Sequence, residues 1–237
     1  MNDASDEALE ALVRYKTIRI RVSVDGVTEE TYQKYRVGGS LQKVLTNIQK
    51  INEFKEICQS EFPELLLQFI LFGHNEHELD KVFALGRMLK MKVFIKLNRC
   101  PDQLSVTDRE KIQKLLGYAD RGEFIETMGI QYCRDLCLGL WKAPQVNWDG
   151  RLLGCGCNTR IAFADYVLDG TFLREINNER MQYARRMLLG EAPPRDDIPC
   201  AGCAFYKQVS EHELWYTPEE IRAATSKPAL SNPLLTP

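Results

Sequence analysis

The chain has 237 residues, enough for one large domain or two modest ones, and 44% of them are hydrophobic, so a substantial core can form. Its 31 basic and 33 acidic residues leave a net charge of -2, which excludes a basic field for nucleic acid and a polybasic anchor for anionic lipid. The start, MNDASDEALEALV, is acidic and helix-like, with neither the basic nor the apolar region of a signal peptide. The longest apolar run, ELLLQFILFG, is interrupted by Gln68 and is too short to span a bilayer. The expectation is a soluble cytoplasmic protein with no nucleic-acid and no membrane partner. In that reducing setting eight cysteines point to metal binding or catalysis rather than disulfides.

In chain order, IRIRVSVD at 18–25 alternates strictly: Ile18, Ile20, Val22 and Val24 share one face, and Arg19, Arg21, Ser23 and Asp25 the other. Gly26 ends that strand. Residues 40–58 repeat apolar positions at Leu41, Val44, Leu45, Ile48, Ile51 and Phe54, a helical spacing with Ser40 as N-cap. LLLQFILF at 65–72 reads as a buried strand, 77–91 as a helix, and KVFIKLN at 92–98 as a third strand with Lys96 and Asn98 on its polar face. Strand, helix, strand, helix, strand implies a parallel sheet with crossovers. In (β/α) barrels chemistry gathers at the C-terminal strand ends. Here those ends carry Ser23 and Asp25, then His74 and Asn75, then Lys96 and Asn98; solvated loops explain the same polarity. His74 and His77 could bind a metal with Glu76 or Glu78, although a polar loop accounts for GHNEHE as well.

Residues 105–118 predict one more helix, after which the rhythm stops between 120 and 130. Short strands and loops then interleave with cysteines. Residues 172–190 read as a helix ending at Gly190, EAPPRDDIPC as a rigid loop into CAGC, and 217–225 as a helix with a Thr217 cap and Pro218 at its first position. The tail, 226–237, reads as flexible.

Cys200 and Cys203 form C-x2-C, a spacing that suits two thiolates on one metal or a dithiol redox pair. Cys137 and Cys155 flank a hairpin whose turn is Trp148-Asp149-Gly150, so its strands can bring them together. Cys157 follows two residues after Cys155 as a competing or spare ligand. The ligand set is Cys137, Cys155, Cys200 and Cys203. Their chemistry alone leaves zinc and [4Fe–4S] open. Cys58 and Cys100 read as ordinary residues.

IRVSVDGVTEETYQKYRVGGSLQKVLTNIQKI resembles the middle of radical S-adenosylmethionine (SAM) enzymes with a SPASM or twitch C-terminal domain. LWKAPQVNWDGRLLGCGCN resembles their first SPASM block, with Cys137, Gly150 and Cys155 in C-x12-G-x4-C form, and PCAGC resembles the closing C-x2-C. The resemblance spans about residues 15–205, and the order of the motifs makes it specific. It implies an α/β fold, a partial (β/α) radical-SAM-type barrel over 1–128 followed by a small α+β twitch/SPASM iron–sulfur domain over 129–225. It implies one auxiliary [4Fe–4S] cluster on Cys137, Cys155, Cys200 and Cys203, because no cysteine follows Cys203 to build a second. It also places Ser23, Asp25, Arg36, Gln68 and Asn75 around SAM and substrate, with Arg36 on a carboxylate and Ser23 on ribose.

The family's C-x3-C-x2-C, which holds the cluster that cleaves SAM to a 5′-deoxyadenosyl radical, does not occur in this sequence. Cys133 and Cys137 give C-x3-C, but position 140 is leucine. The expectation is therefore the C-terminal part of such an enzyme, binding SAM only with a complementary N-terminal chain, or self-associating through an open sheet edge. Its substrate would be a small molecule or a peptide. The other reading is a non-catalytic iron–sulfur or zinc-binding module.

Overall fold

A computed structural model describes residues 1–98, 104–159 and 161–226. The chain divides into two compact units, which part after Glu123, inside a helix that runs from Arg121 to Met128. The tail expected at 226–237 lies, from 227 onward, outside the described residues, as does Cys100.

The first unit runs α1 (Asp6–Arg14), β1 (Arg19–Ser23), α2 (Glu29–Tyr35), α3 (Leu41–Ile57), β2 (Glu64–Leu71), α4 (Leu79–Met88), β3 (Lys92–Leu97) and α5 (Arg109–Leu116). The strands form a parallel sheet in the order β1-β2-β3. Three strands leave the sheet open, and no closed barrel forms among the described residues. Its architecture is mixed α/β, as the alternating pattern requires.

The apolar face is built by Val22 of β1, Leu65, Leu67, Phe69 and Leu71 of β2, and Val93, Ile95 and Leu97 of β3, all buried. α4 lies over β3 so closely that a side-chain carbon on Gly86 would sit 2.4 Å from Val93 Cγ2. α3 packs beside α1, buries Leu41, Val44, Ile48 and Ile51, and is capped as expected, with Ser40 Oγ accepting from Lys43 N. Each such aliphatic side chain contributes about 1.5–3 kcal/mol on full burial.

Three local readings need correction. The first strand is shorter than 18–25, and Ile18 stands half exposed before it begins. β3 buries Val93, Phe94 and Ile95 in succession, so Phe94 shares the polar face of the sheet yet is itself covered. The helix expected over 105–118 is confined to Arg109–Leu116, because Asp108 caps it by accepting from Lys111 N.

The second unit takes in most of α6 (Arg121–Met128), then α7 (Gly139–Lys142), the antiparallel pair β4 (Gln145–Val146) and β5 (Leu152–Gly154), α8 (Phe172–Glu175), α9 (Glu179–Leu188), α10 (Ala204–Glu211) and α11 (Pro218–Ser226). The single helix expected over 172–190 is two. Asn178 breaks it with extended backbone and recaps α9 by accepting from Met181 N. The hairpin turn is as expected: Asn147 N donates to Arg151 O at 2.8 Å, and Gly150 adopts φ +85°, where a side chain would be strained. Trp148 at its tip is 90% exposed. Thr217 and Glu220 close a reciprocal capping box at the start of α11.

Candidate functional site

The C-terminal end of the parallel sheet brings the five predicted cavity residues together. Register places Ser23 beside Gln68, and Gln68 Nε2 donates to Ser23 Oγ at 3.0 Å. Asp25 is fully buried; its Oδ1 accepts from Ile70 N at 2.7 Å, and its Oδ2 accepts from Arg36 Nε at 2.7 Å. Burial pushes the Asp25 carboxyl up in pKa, against the Ile70 N–H and the Arg36 guanidinium, which pull it down. Asn75, also fully buried, donates from Nδ2 to Asp25 O at 3.0 Å and to Ile70 O at 2.9 Å, and accepts from Phe72 N at 2.8 Å. Asp25 and Asn75 therefore hold the strand ends, while Arg36 stays one-third exposed and Ser23 half-buried.

Gly26 completes this corner. A side-chain carbon there would lie 2.3 Å from Tyr32 N, so only glycine admits the backbone of α2 so close.

The histidine loop does different work from the metal site considered for it. Glu78 accepts from Val27 N at 2.9 Å and Thr28 Oγ1 at 3.1 Å, fixing the turn after β1. Glu76 accepts from Thr107 N at 2.7 Å, from Thr107 Oγ1 and from Asp108 N, fixing the turn before α5. Both carboxylates are buried and committed to backbone, so the segment after the central strand ties down the loops on either side. His74 stacks on Phe72 with ring centroids 5.3 Å apart. Burial, then Lys34, pull its pKa down, and its Nε2 is buried without a hydrogen-bond partner.

In the second unit, Cys137, Cys155 and Cys200 are buried members of one core, and Cys133, Cys157 and Cys203 pack against it. Cys137, Cys155, Cys157, Cys200 and Cys203 are free thiols. The route by which they meet differs from the simple hairpin expected. Cys137 precedes α7, and it is Gly139 of α7 that abuts Cys155: a side-chain carbon there would be 3.6 Å from Cys155 Cα and Cβ. Cys155 and Cys157 lie beyond β5 on a turn, where Asn158 N donates to Cys155 O at 3.2 Å, rather than on an extended strand. The C-x2-C turn closes with Cys203 N donating to Cys200 O at 3.0 Å, and α10 starts immediately after Cys203.

The thiols sense one another. Burial raises Cys137 to about 12, against a hydrogen bond from Tyr216, and the charges of Cys155 and Cys203 raise it further. Burial also pushes Cys200 up, as do Cys155, Cys137 and Cys203. A hydrogen bond from Cys157 is the main cause that pulls Cys155 down in pKa, and the same bond pushes Cys157 up. Among the described residues no group of three or more His, Cys, Asp or Glu side chains is arranged to hold a metal ion.

Sequence reasoning missed what braces this site. Arg134 donates to both carboxylate oxygens of Glu220 at 2.8 Å and to the carbonyls of Leu214 and Trp215, and it lies 3.9 Å over the Tyr216 ring. Tyr216 in turn donates to Arg134 O at 2.6 Å. Gln131 Nε2 donates to Phe205 O at 2.7 Å, tying the start of α10. These partners lie 74 to 86 residues away in sequence, so no local pattern announces them.

No helix among the described residues is long and apolar enough to cross a membrane. No family model matches the sequence, and no curated protein matches it. A solved structure does: a polyhistidine-tagged anSMEcpe with bound AdoMet, an anaerobic sulfatase-maturating enzyme of the radical SAM/SPASM kind. It superposes with a TM-score of 0.54 over 98% of this chain and 71% of its own, at 11% sequence identity. At that identity the likeness is one of fold alone.

Proposed function

We propose that the chain is a radical SAM-type enzyme component whose second unit holds one auxiliary [4Fe–4S] cluster on Cys137, Cys155, Cys200 and Cys203. The observation that carries this reading is the convergence of three buried thiols from separate segments into one core, with a C-x2-C turn and a helix N-terminus beside it. Structural zinc would need its four sulfurs about 2.3 Å from one centre, whereas a four-iron cluster takes its thiolates at separate corners. When bound, such a cluster passes electrons singly, the role of a relay in radical oxidation or modification of a small molecule or peptide.

In the first unit, Ser23, Asp25, Arg36, Gln68 and Asn75 are the residues for S-adenosylmethionine and substrate. Asp25 and Asn75 shape the strand ends, and Arg36 and Ser23 present the polar atoms. In this reading SAM binds once a segment carrying C-x3-C-x2-C completes the sheet at its open edge. The same gathered thiols also suit a second reading, a non-catalytic iron–sulfur or zinc module.

The test is anaerobic reconstitution with iron and sulfide, followed by SAM titration with and without a supplied chain carrying the C-x3-C-x2-C segment. The proposal expects broad absorbance near about 400 nm from this chain alone and SAM binding only in the completed pair. Zinc uptake without colour, or no SAM binding even when completed, would favour the module.

A further inference from the structure

The polar face of the three-stranded sheet carries more positive charge than its own carboxylates neutralise. Alternation and register put Arg19, Arg21 and Ser23 of β1, Glu64, Leu66, Gln68 and Ile70 of β2, and Lys92, Phe94 and Lys96 of β3 on this face. Near the start of the strands Glu64 is shared by Arg19 and Lys92. At the far end Asp25 is taken by Arg36. Between these two pairs Arg21 reaches across to lie 5.2 Å over the Phe94 ring, and Lys96 follows Phe94 by two residues on the same face. Among the described residues no carboxylate forms an ion pair with Arg21 or Lys96, although the Asp25 carboxylate held by Arg36 also attracts Lys96. On the central strand Leu66 lies beside Arg21 and Ile70 beside Lys96, and between them Gln68 is bonded to Ser23.

Two cations on either side of an aromatic ring on a rigid sheet, with a neutral amide and hydroxyl between them, form a receptor for an oxyanion. The guanidinium offers paired donors, the ammonium a point charge, and the ring excludes water on one side. We propose that this face binds an anionic group of the substrate, a carboxylate or a phosphate, through Arg21 and Lys96. The inference rests on reading this end of the sheet as the substrate side, but it requires neither the auxiliary cluster nor SAM, so it can fail or stand independently of them.

The experiment is calorimetric titration of the full chain at low salt with two probes, glutarate and inorganic phosphate. Saturable binding of either supports the site, and the tighter probe identifies the class of oxyanion. Arg21→Gln and Lys96→Gln should each weaken binding about tenfold, equivalent to about 1.4 kcal/mol. Lys92→Gln, which removes a cation already paired on the same face, should leave it unchanged. The proposal is overturned if neither probe saturates, if the Arg21 and Lys96 variants bind like the parent, or if Lys92→Gln loses as much as they do. All three are exposed or half-buried polar positions, so the variants should fold, and circular dichroism checks that they have.

Discussion

Asn75→Ala probes the corner on which the first unit's site depends. The Asn75 side chain is fully buried and makes three bonds: it accepts from Phe72 N at 2.8 Å and donates to Ile70 O at 2.9 Å and Asp25 O at 3.0 Å. Truncation strands one buried N–H outright and removes one donor from each of two carbonyls. A buried group left unsatisfied costs about 1–3 kcal/mol, and the carbonyls, with a second lone pair each, recover part of their loss, so the expected destabilisation is about 3 kcal/mol. Asn75→Asp should be worse than Asn75→Ala despite its closer shape, because it sets an acceptor against two carbonyls beside Asp25. Urea denaturation at neutral pH measures this, with far-UV circular dichroism as the probe. The three tryptophans, Trp141, Trp148 and Trp215, all lie in the second unit, so their fluorescence reports on that unit separately. A loss below about 1 kcal/mol for alanine, or a milder effect for aspartate, would refute the claim that Asn75 is a committed three-way brace.

Other consequences follow from the same geometry. Gly26→Ala should cost at least about 2 kcal/mol, since its added carbon meets backbone at 2.3 Å and cannot be relieved by a rotamer change; a neutral thermal melt would show that α2 is free to shift. Glu220 is held below its usual 4.5 chiefly by hydrogen bonds from Arg134. With the folded pKa depressed, the unfolded state takes up protons first as acid is added, so the pairing contributes fully above 4.5 and fades as pH falls through the folded value. Because the Glu220 side chain is 38% exposed, its share is about 1 kcal/mol at most, and Glu220→Gln should flatten the acid limb of stability against pH by that amount; an unchanged limb would contradict the pairing. Cys155→Ser should abolish cluster assembly whereas Cys157→Ser should preserve it, read by absorbance after reconstitution; the reverse order would make Cys157 the ligand.

Much of the first unit was legible because its signals are local. Alternation in β1, the apolar run of β2, the Ser40 cap and the strand–helix rhythm each follow from periodicity or side-chain chemistry within a few residues. The Asp149-Gly150 turn and the Thr217 cap belong to the same class. What escaped depends on partners distant in sequence. GHNEHE looked like a loose polar loop because nothing nearby reveals that Glu76 and Glu78 reach the turns 31 and 51 residues away. The α8–α9 break was written in the sequence as Asn177-Asn178, a capping signal overridden by the apolar spacing on both sides. At the thiol site the sequence named the cysteines, but their meeting through Gly139 and the Arg134–Glu220–Tyr216 brace are products of tertiary packing.

The central claim is that the second unit's thiols are the ligands of a four-iron cluster. Iron, acid-labile sulfide and zinc should be quantified together on the chain purified without oxygen. The account predicts about four irons and four sulfides per chain and no stoichiometric zinc. About one zinc per chain, with neither iron nor sulfide, would contradict it and leave a structural cysteine site in its place.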